Sequence, residues 1–168
     1  TGDNLVKYYK NGTEFYAKFV KGNGEALANR NVTFNINGVF YIRETDSKGI
    51  AKLNINLRPG NYILTATDPE TGLDIGFDIT VLPTIIAKNL TKTYLNASQF
   101  NAGFVKGNGD PLANVNVTFN INGVFYTRQT NNDGLATLNI NLIPGKYIIT
   151  AIEPVTGLDM GYGVTVLK

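Results

Sequence analysis

The chain has 168 residues, 43% of them apolar, a net charge of +2, no cysteine and no histidine. Disulfides, thiol chemistry, thiolate or imidazole metal sites and the usual nucleophile–base pairs are thereby excluded. The near-neutral charge, without a basic run interleaved with aromatics, argues against nucleic acid as a partner. No stretch has the ~18 consecutive apolar residues of a membrane span, so no membrane contact is expected. No initiator methionine or signal peptide is seen, and Thr1-Gly2-Asp3 reads as the start of an excised fragment.

The chain repeats itself at an offset of 85. Val32 to Tyr41 returns unchanged as Val117 to Tyr126, and Leu53-Asn-Ile-Asn-Leu57 as Leu138-Asn-Ile-Asn-Leu142. The halves agree at about 60% of positions, which marks an internal repeat rather than shared bias.

Within one copy the hydrophobic period is two throughout. Strands are predicted at roughly 4–10, 14–21, 31–37, 39–45, 50–57, 61–67 and 75–82, and again 85 residues on. Val32, Phe34 and Ile36 point one way, and Thr33, Asn35 and Asn37 the other. Ala51, Leu53, Ile55 and Leu57 alternate likewise with Lys52, Asn54 and Asn56. Asn37-Gly38 is a hairpin signal. Gly22-Asn23-Gly24, Asp46 to Gly49, Pro59-Gly60 and Thr71-Gly72 mark further turns. Tyr62, just after Pro59-Gly60, stands where a tyrosine corner sits, and Tyr147 repeats it.

The fold class expected is all-β: two tandem Greek-key β-sandwiches of about seven strands each, immunoglobulin-like or prealbumin-like. The domains expected are residues 1–83 and 84–168. Pro83 marks the boundary, and only three or four residues join the modules, so a semi-rigid rod is expected.

Phe19-Val-Lys-Gly-Asn-Gly-Glu-Ala-Leu-Ala-Asn29, Val32-Thr-Phe34, Thr45-Asp-Ser-Lys-Gly-Ile-Ala51, Leu57-Arg-Pro-Gly-Asn-Tyr62 and Thr65-Ala66 follow one another in order. This order resembles the immunoglobulin-like repeats of microbial surface proteins, including invasin-type and collagen-adhesin B-type stalk domains. The asparagine-rich texture and the Pro-Thr-Ile junction look most like the tandem repeats of methanogenic archaeal adhesin-like proteins. The resemblance implies extracellular, cell-surface stalk repeats that space a distal adhesive region from the cell. The alternative is that the repeats themselves bind carbohydrate, cell wall or a partner-cell protein. Partners implied are neighbouring repeats of the same chain, and glycans or proteins of another cell. No enzyme activity and no cofactor are expected.

Collagen-adhesin B-type domains carry isopeptide bonds, so the resemblance also implies a crosslink from Lys7 to Asp74 and from Lys92 to Asp159. A desolvated lysine and a nearby proton-shuttling acid are required. Glu44 is a weak candidate for that acid, because its counterpart is Gln129. The alternative is a surface lysine and a loop aspartate. Asn11, Asn31, Asn89, Asn96 and Asn116 open acceptor sequons, read as glycosylation sites or as chance in an asparagine-rich chain. Glu25/Asp110, Asp68/Glu153 and Asp74/Asp159 stay acidic in both copies and are read as solvated turn acids. Asp46 to Gly49 and Asn131 to Gly134 lack the ligand count of a calcium loop. Phe40, Tyr41, Phe125 and Tyr126 are read as core, with an aromatic contact patch as the alternative.

Overall fold

The structure, a computed structural model, describes all residues from Thr1 to Lys168. The chain forms two compact units, Thr1–Leu82 and Pro83–Lys168. Unit 1 holds β1 (Leu5–Tyr8), β2 (Glu14–Lys18), β3 (Asn31–Ile36), β4 (Val39–Glu44), β5 (Ile50–Asn54), β6 (Gly60–Thr67) and β7 (Asp74–Leu82). Unit 2 holds β8 (Ile85–Ala87), β9 (Leu90–Thr93), β10 (Gln99–Phe104), β11 (Asn116–Ile121), β12 (Val124–Gln129), β13 (Leu135–Asn139), β14 (Gly145–Ile152) and β15 (Asp159–Leu167). There is no helix, hence none long and apolar enough to cross a membrane.

In unit 1 a five-stranded sheet runs β1-β7-β6-β3-β4 and faces a two-stranded sheet, β2-β5. Unit 2 repeats this as β9-β15-β14-β11-β12 facing β13-β10-β8. The third strand of the smaller sheet, β8, lies where the sequence suggested only a linker. Its run of three residues after Pro83 is too short to show a period. Ile85 is buried and pairs with Phe104. In unit 1 the matching contact is a single bridge, Gly2 to Ala17.

The first strand of each five-stranded sheet lies parallel to the last, while the remaining pairs are antiparallel. With sequential strands crossing between two sheets, this order is an immunoglobulin-like Greek key, which selects that topology over the prealbumin-like one. The alternating strands place Phe15, Phe34, Leu53, Leu64 and Ile79 in the core of unit 1. Phe34 meets Phe15 edge-on at 5.7 Å and Phe19 at 6.2 Å. Phe119 meets Phe100 and Phe104 in the same way at 5.8 and 6.2 Å.

Local devices fix the crossings. The Tyr62 hydroxyl donates to the Arg58 carbonyl at 2.7 Å, and Tyr147 to Ile143 at 2.9 Å, so both tyrosine corners form. Buried Thr45 donates its hydroxyl to Leu27 O at 2.5 Å and accepts from Arg30 N at 3.0 Å. Thr130 does the same with Leu112 and Val115. These hydroxyls answer backbone groups that burial would otherwise leave unpaired.

Candidate functional site

Lys7 faces inward because it shares the parity of Leu5 and Tyr9, both packed on the core. It is 3% exposed, and Lys92 is 4% exposed. The Lys7 amine donates to Ile55 O at 2.7 Å and Thr13 O at 3.2 Å. Lys92 donates to Ile140 O at 2.7 Å and Ser98 O at 3.3 Å. Each lysine therefore ties the first strand of the large sheet to the chain just past the end strand of the small one. The surface-lysine alternative is corrected: the first strand carries an inward amine in both units.

The aspartates are elsewhere. β1 runs parallel to β7 with Lys7 opposite Val81, whereas Asp74 lies opposite Thr67 at the far end of β7. Seven residues at ~3.3 Å each separate the two by about 23 Å along the strand. Lys92 opposite Val166 and Asp159 opposite Ile152 repeat the separation. The structure thus does not bring Lys7 to Asp74 or Lys92 to Asp159, and no amide joins them in this fold. Asp74 is exposed and accepts from the Thr67 hydroxyl at 2.6 Å. Glu44 stands exposed on β4 opposite Asn31.

Burial holds the Lys7 amine below its ordinary value of 10.5, opposed by the negative charge of Glu14. In the window between the lowered folded value and 10.5, the unfolded chain binds the extra proton. The stability of unit 1 therefore rises with pH through that window. Denaturant unfolding followed at stepwise pH should show the rise in the wild type and a flatter profile in Lys7→Met. Equal slopes in the two proteins would remove the desolvated lysine from the account.

The acidic turns are scattered. Glu153 corrects the expectation of solvated acids, being 1% exposed. Its carboxylate accepts from the amides of Val155 and Thr156 and from the Thr156 hydroxyl, which fastens the β14–β15 turn. Asp68 accepts from Glu70 N in the matching turn. Glu25 and Asp110 lie exposed in another turn. Asp46 accepts from Lys48 N and Ile50 N, and these bonds hold its carboxyl below its ordinary range.

Of the sequon asparagines, Asn31, Asn89, Asn96 and Asn116 are exposed and Asn11 is half-buried. Asn11 and Asn96 accept from the amides of Thr13 and Ser98 at 2.8 and 2.7 Å, as turn formers. Asn89 accepts from Gly163 N at 2.8 Å, and Asn4 accepts from Asp78 N at 2.9 Å in unit 1. Asn4 opens no sequon, so this side chain has a structural task in both units.

The aromatic hairpin divides. Tyr41 packs against the core, as expected. Phe40 is 69% exposed and Phe125 65%, which overturns their assignment to the core. The hairpin register sets Phe40 opposite Asn35, whose other neighbour is Thr65, itself opposite Gly76. Unit 2 keeps the row as Phe125, Asn120, Thr150 and Gly161. It is an uncharged strip on the outer face of the large sheet.

No protein-family model matches the chain, and no curated protein matches it. Among solved structures the chain is similar to invasin, a bacterial integrin-binding protein, at 21% identity and a TM-score of 0.43 over 98% of this chain. It spans 38% of the length of that invasin chain. The titin Ig tandem A164-A165 is similar at 14% identity and a TM-score of 0.34, over 98% of this chain and 93% of that one. Domains 4 and 5 of the S-layer protein SbsC are similar at 15% identity and a TM-score of 0.32, over 90% and 80%. At such identities the likeness is one of fold alone.

Proposed function

We propose that the two units are non-enzymatic structural stalk repeats of an extracellular, cell-surface, adhesin-like protein, spacing a distal adhesive region from the cell. The supporting observation is the parallel pairing of terminal strands, β1 with β7 and β9 with β15. Tension on a unit pulls the start of the first long strand and the end of the last in opposite directions. A parallel pair then resists as a ladder loaded in shear, all its bonds together, rather than peeling one bond at a time. Tyr9 N extends the ladder to Leu82 O at 2.9 Å, and Tyr94 N to Leu167 O at 2.8 Å. The lysine ties brace the same strands against the opposite sheet. In that exported setting the exposed sequon asparagines are candidate glycan acceptors.

The second reading, binding of carbohydrate, cell wall or a partner-cell protein by the repeats themselves, is favoured by the strip around Phe40 and Phe125. One comparison separates the two. Single-molecule pulling on the pair should show two high-force unfolding events. Tyr9→Pro with Tyr94→Pro, each removing about 1 kcal/mol of ladder bonding or more, should speed unfolding under a fixed load by about fivefold or more. Low-force unfolding that the prolines do not change, with saturable binding of the pair to a glycan array or to whole cells, would select the second reading.

A further inference from the structure

Beside the end of β2, unit 1 has an apolar groove of about 240 Å³. It is lined by buried Phe19, Ala66 and Phe77 and by exposed Val20, Leu73 and Ile75. Pockets for small molecules hold ~300–1,000 Å³, so this one suits a side chain or two of a peptide. The copies of these residues in unit 2 are covered. Leu73 is 57% exposed, whereas its copy Leu158 is 1% exposed. Val20 is exposed and its copy Val105 half-buried, and Phe19 is more open than its copy Phe104.

The repeat identifies what does the covering. In unit 2 Ile85 lies opposite Phe104, and Val105 N donates to Thr84 O at 2.9 Å. Thr84 and Ile85 are both buried. Unit 1 has the same ladder up to one point. Gly2 bridges Ala17 as Ala87 pairs with Ala102. Thr1 N donates to Lys18 O at 2.6 Å and Lys18 N to Thr1 O at 2.7 Å, in the place of Ile86 and Gly103. The next positions on that ladder are Phe19 and Val20. Lys21 N donates to Glu25 O and Leu27 N donates to Phe19 O, so alternation turns Val20 N to the opposite side, toward the groove. There it has no partner, whereas Val105 N has Thr84 O.

We propose that this groove is a strand-acceptor site, filled by an extended segment of Pro-Thr-Ile chemistry joined directly ahead of Thr1. The isoleucine falls opposite Phe19 and takes the apolar seat between Val20, Leu73 and Ile75. The threonine carbonyl accepts from Val20 N, and the proline, which has no N–H to give, ends the pairing. Main-chain bonds hold the segment and one aliphatic side chain selects it, the mode of recognition of an added strand. The direction of the ladder favours a covalent source. The occupant's last residue abuts Thr1 N, which is already bonded to Lys18 O as a strand amide would be. A joined segment also meets its site at a high effective concentration. The small sheet of unit 1 then gains the third strand that β8 supplies in unit 2. The proposal does not depend on the stalk reading.

The test is amide hydrogen exchange and denaturant unfolding of the two-unit chain extended by Pro-Thr-Ile ahead of Thr1. Expected is a Val20 amide that exchanges at least about tenfold more slowly than in the unextended chain, with a higher unfolding midpoint for unit 1 and no change at Val105. Extension by Pro-Thr-Asp places a charge in the apolar seat and should give neither effect. Unchanged exchange at Val20 overturns the proposal, and so does equal protection by the two extensions. Protection of Val20 in the unextended chain that grows with its own concentration also overturns it, because a second copy is then the occupant. Equal protection by a free acetylated Leu-Pro-Thr-Ile peptide does the same, because the segment need not then be joined to Thr1.

Discussion

Phe34→Ala should cost unit 1 about 3–5 kcal/mol. Phe34 has no exposed surface and touches aromatic rings of both β2 and the following loop, so its ring is, with the Phe15–Phe77 pair, a packing contact between the two sheets. A unit of this size has about 4–12 kcal/mol of stability in total, at ~0.05–0.15 kcal/mol per residue. Truncation therefore removes much of the margin, and no disulfide restores it. Phe119→Ala should do the same in unit 2. Phe34→Leu keeps most of the volume and should cost about 1.5 kcal/mol or less. Exchange of the Val32 to Ile36 amides reads the result inside unit 1. A change of under ~1 kcal/mol for alanine would mean that the cavity collapses and that the ring is not central.

The strands were legible because one face is wet and the other dry. Seven predicted strands in each copy overlie seven observed ones, and the tyrosine corners fell where the turn before Tyr62 put them. What escaped was set by pairing rather than period. Phe40 reads as core from composition, yet the Asn37-Gly38 turn already fixes it opposite Asn35, on the wet face. That signal was available. So was the inward direction of Lys7, between Leu5 and Tyr9 at the same parity. The failure of the Lys7–Asp74 pairing was not readable. It depends on β1 running parallel to β7, which places the lysine beside the end of β7 rather than its start. A short strand such as β8 shows no period at all and is recognised only by its partner.

Gly49→Ala and Gly134→Ala should destabilise their units by about 3–5 kcal/mol, as much as losing a core phenylalanine, although no core volume changes. Two costs add. Both glycines have positive φ, 78° and 76°, which costs an alanine about 1–2 kcal/mol. A Cβ at Gly134 would also lie 2.4 Å from Phe104 O and 3.1 Å from Leu112 N, and one at Gly49 2.4 Å from Phe19 O and 3.1 Å from Leu27 N. Those atoms cannot easily yield. Phe104 N donates to Gly134 O at 2.8 Å, and Leu112 N donates to Phe104 O at 2.9 Å. Making room therefore means breaking the bond that starts the β10–β13 pairing and the one that holds the Leu112 loop to Phe104, which adds roughly 2–3 kcal/mol. Gly123→Ala is the control. Its φ is 80°, but nothing lies near the added carbon, so it should pay the first cost only, about 1–2 kcal/mol. Denaturant midpoints of the three variants check the division. Equal losses at Gly123 and Gly134 would mean that the close approach to the Phe104 carbonyl relaxes freely, and that conformation alone explains the glycine there.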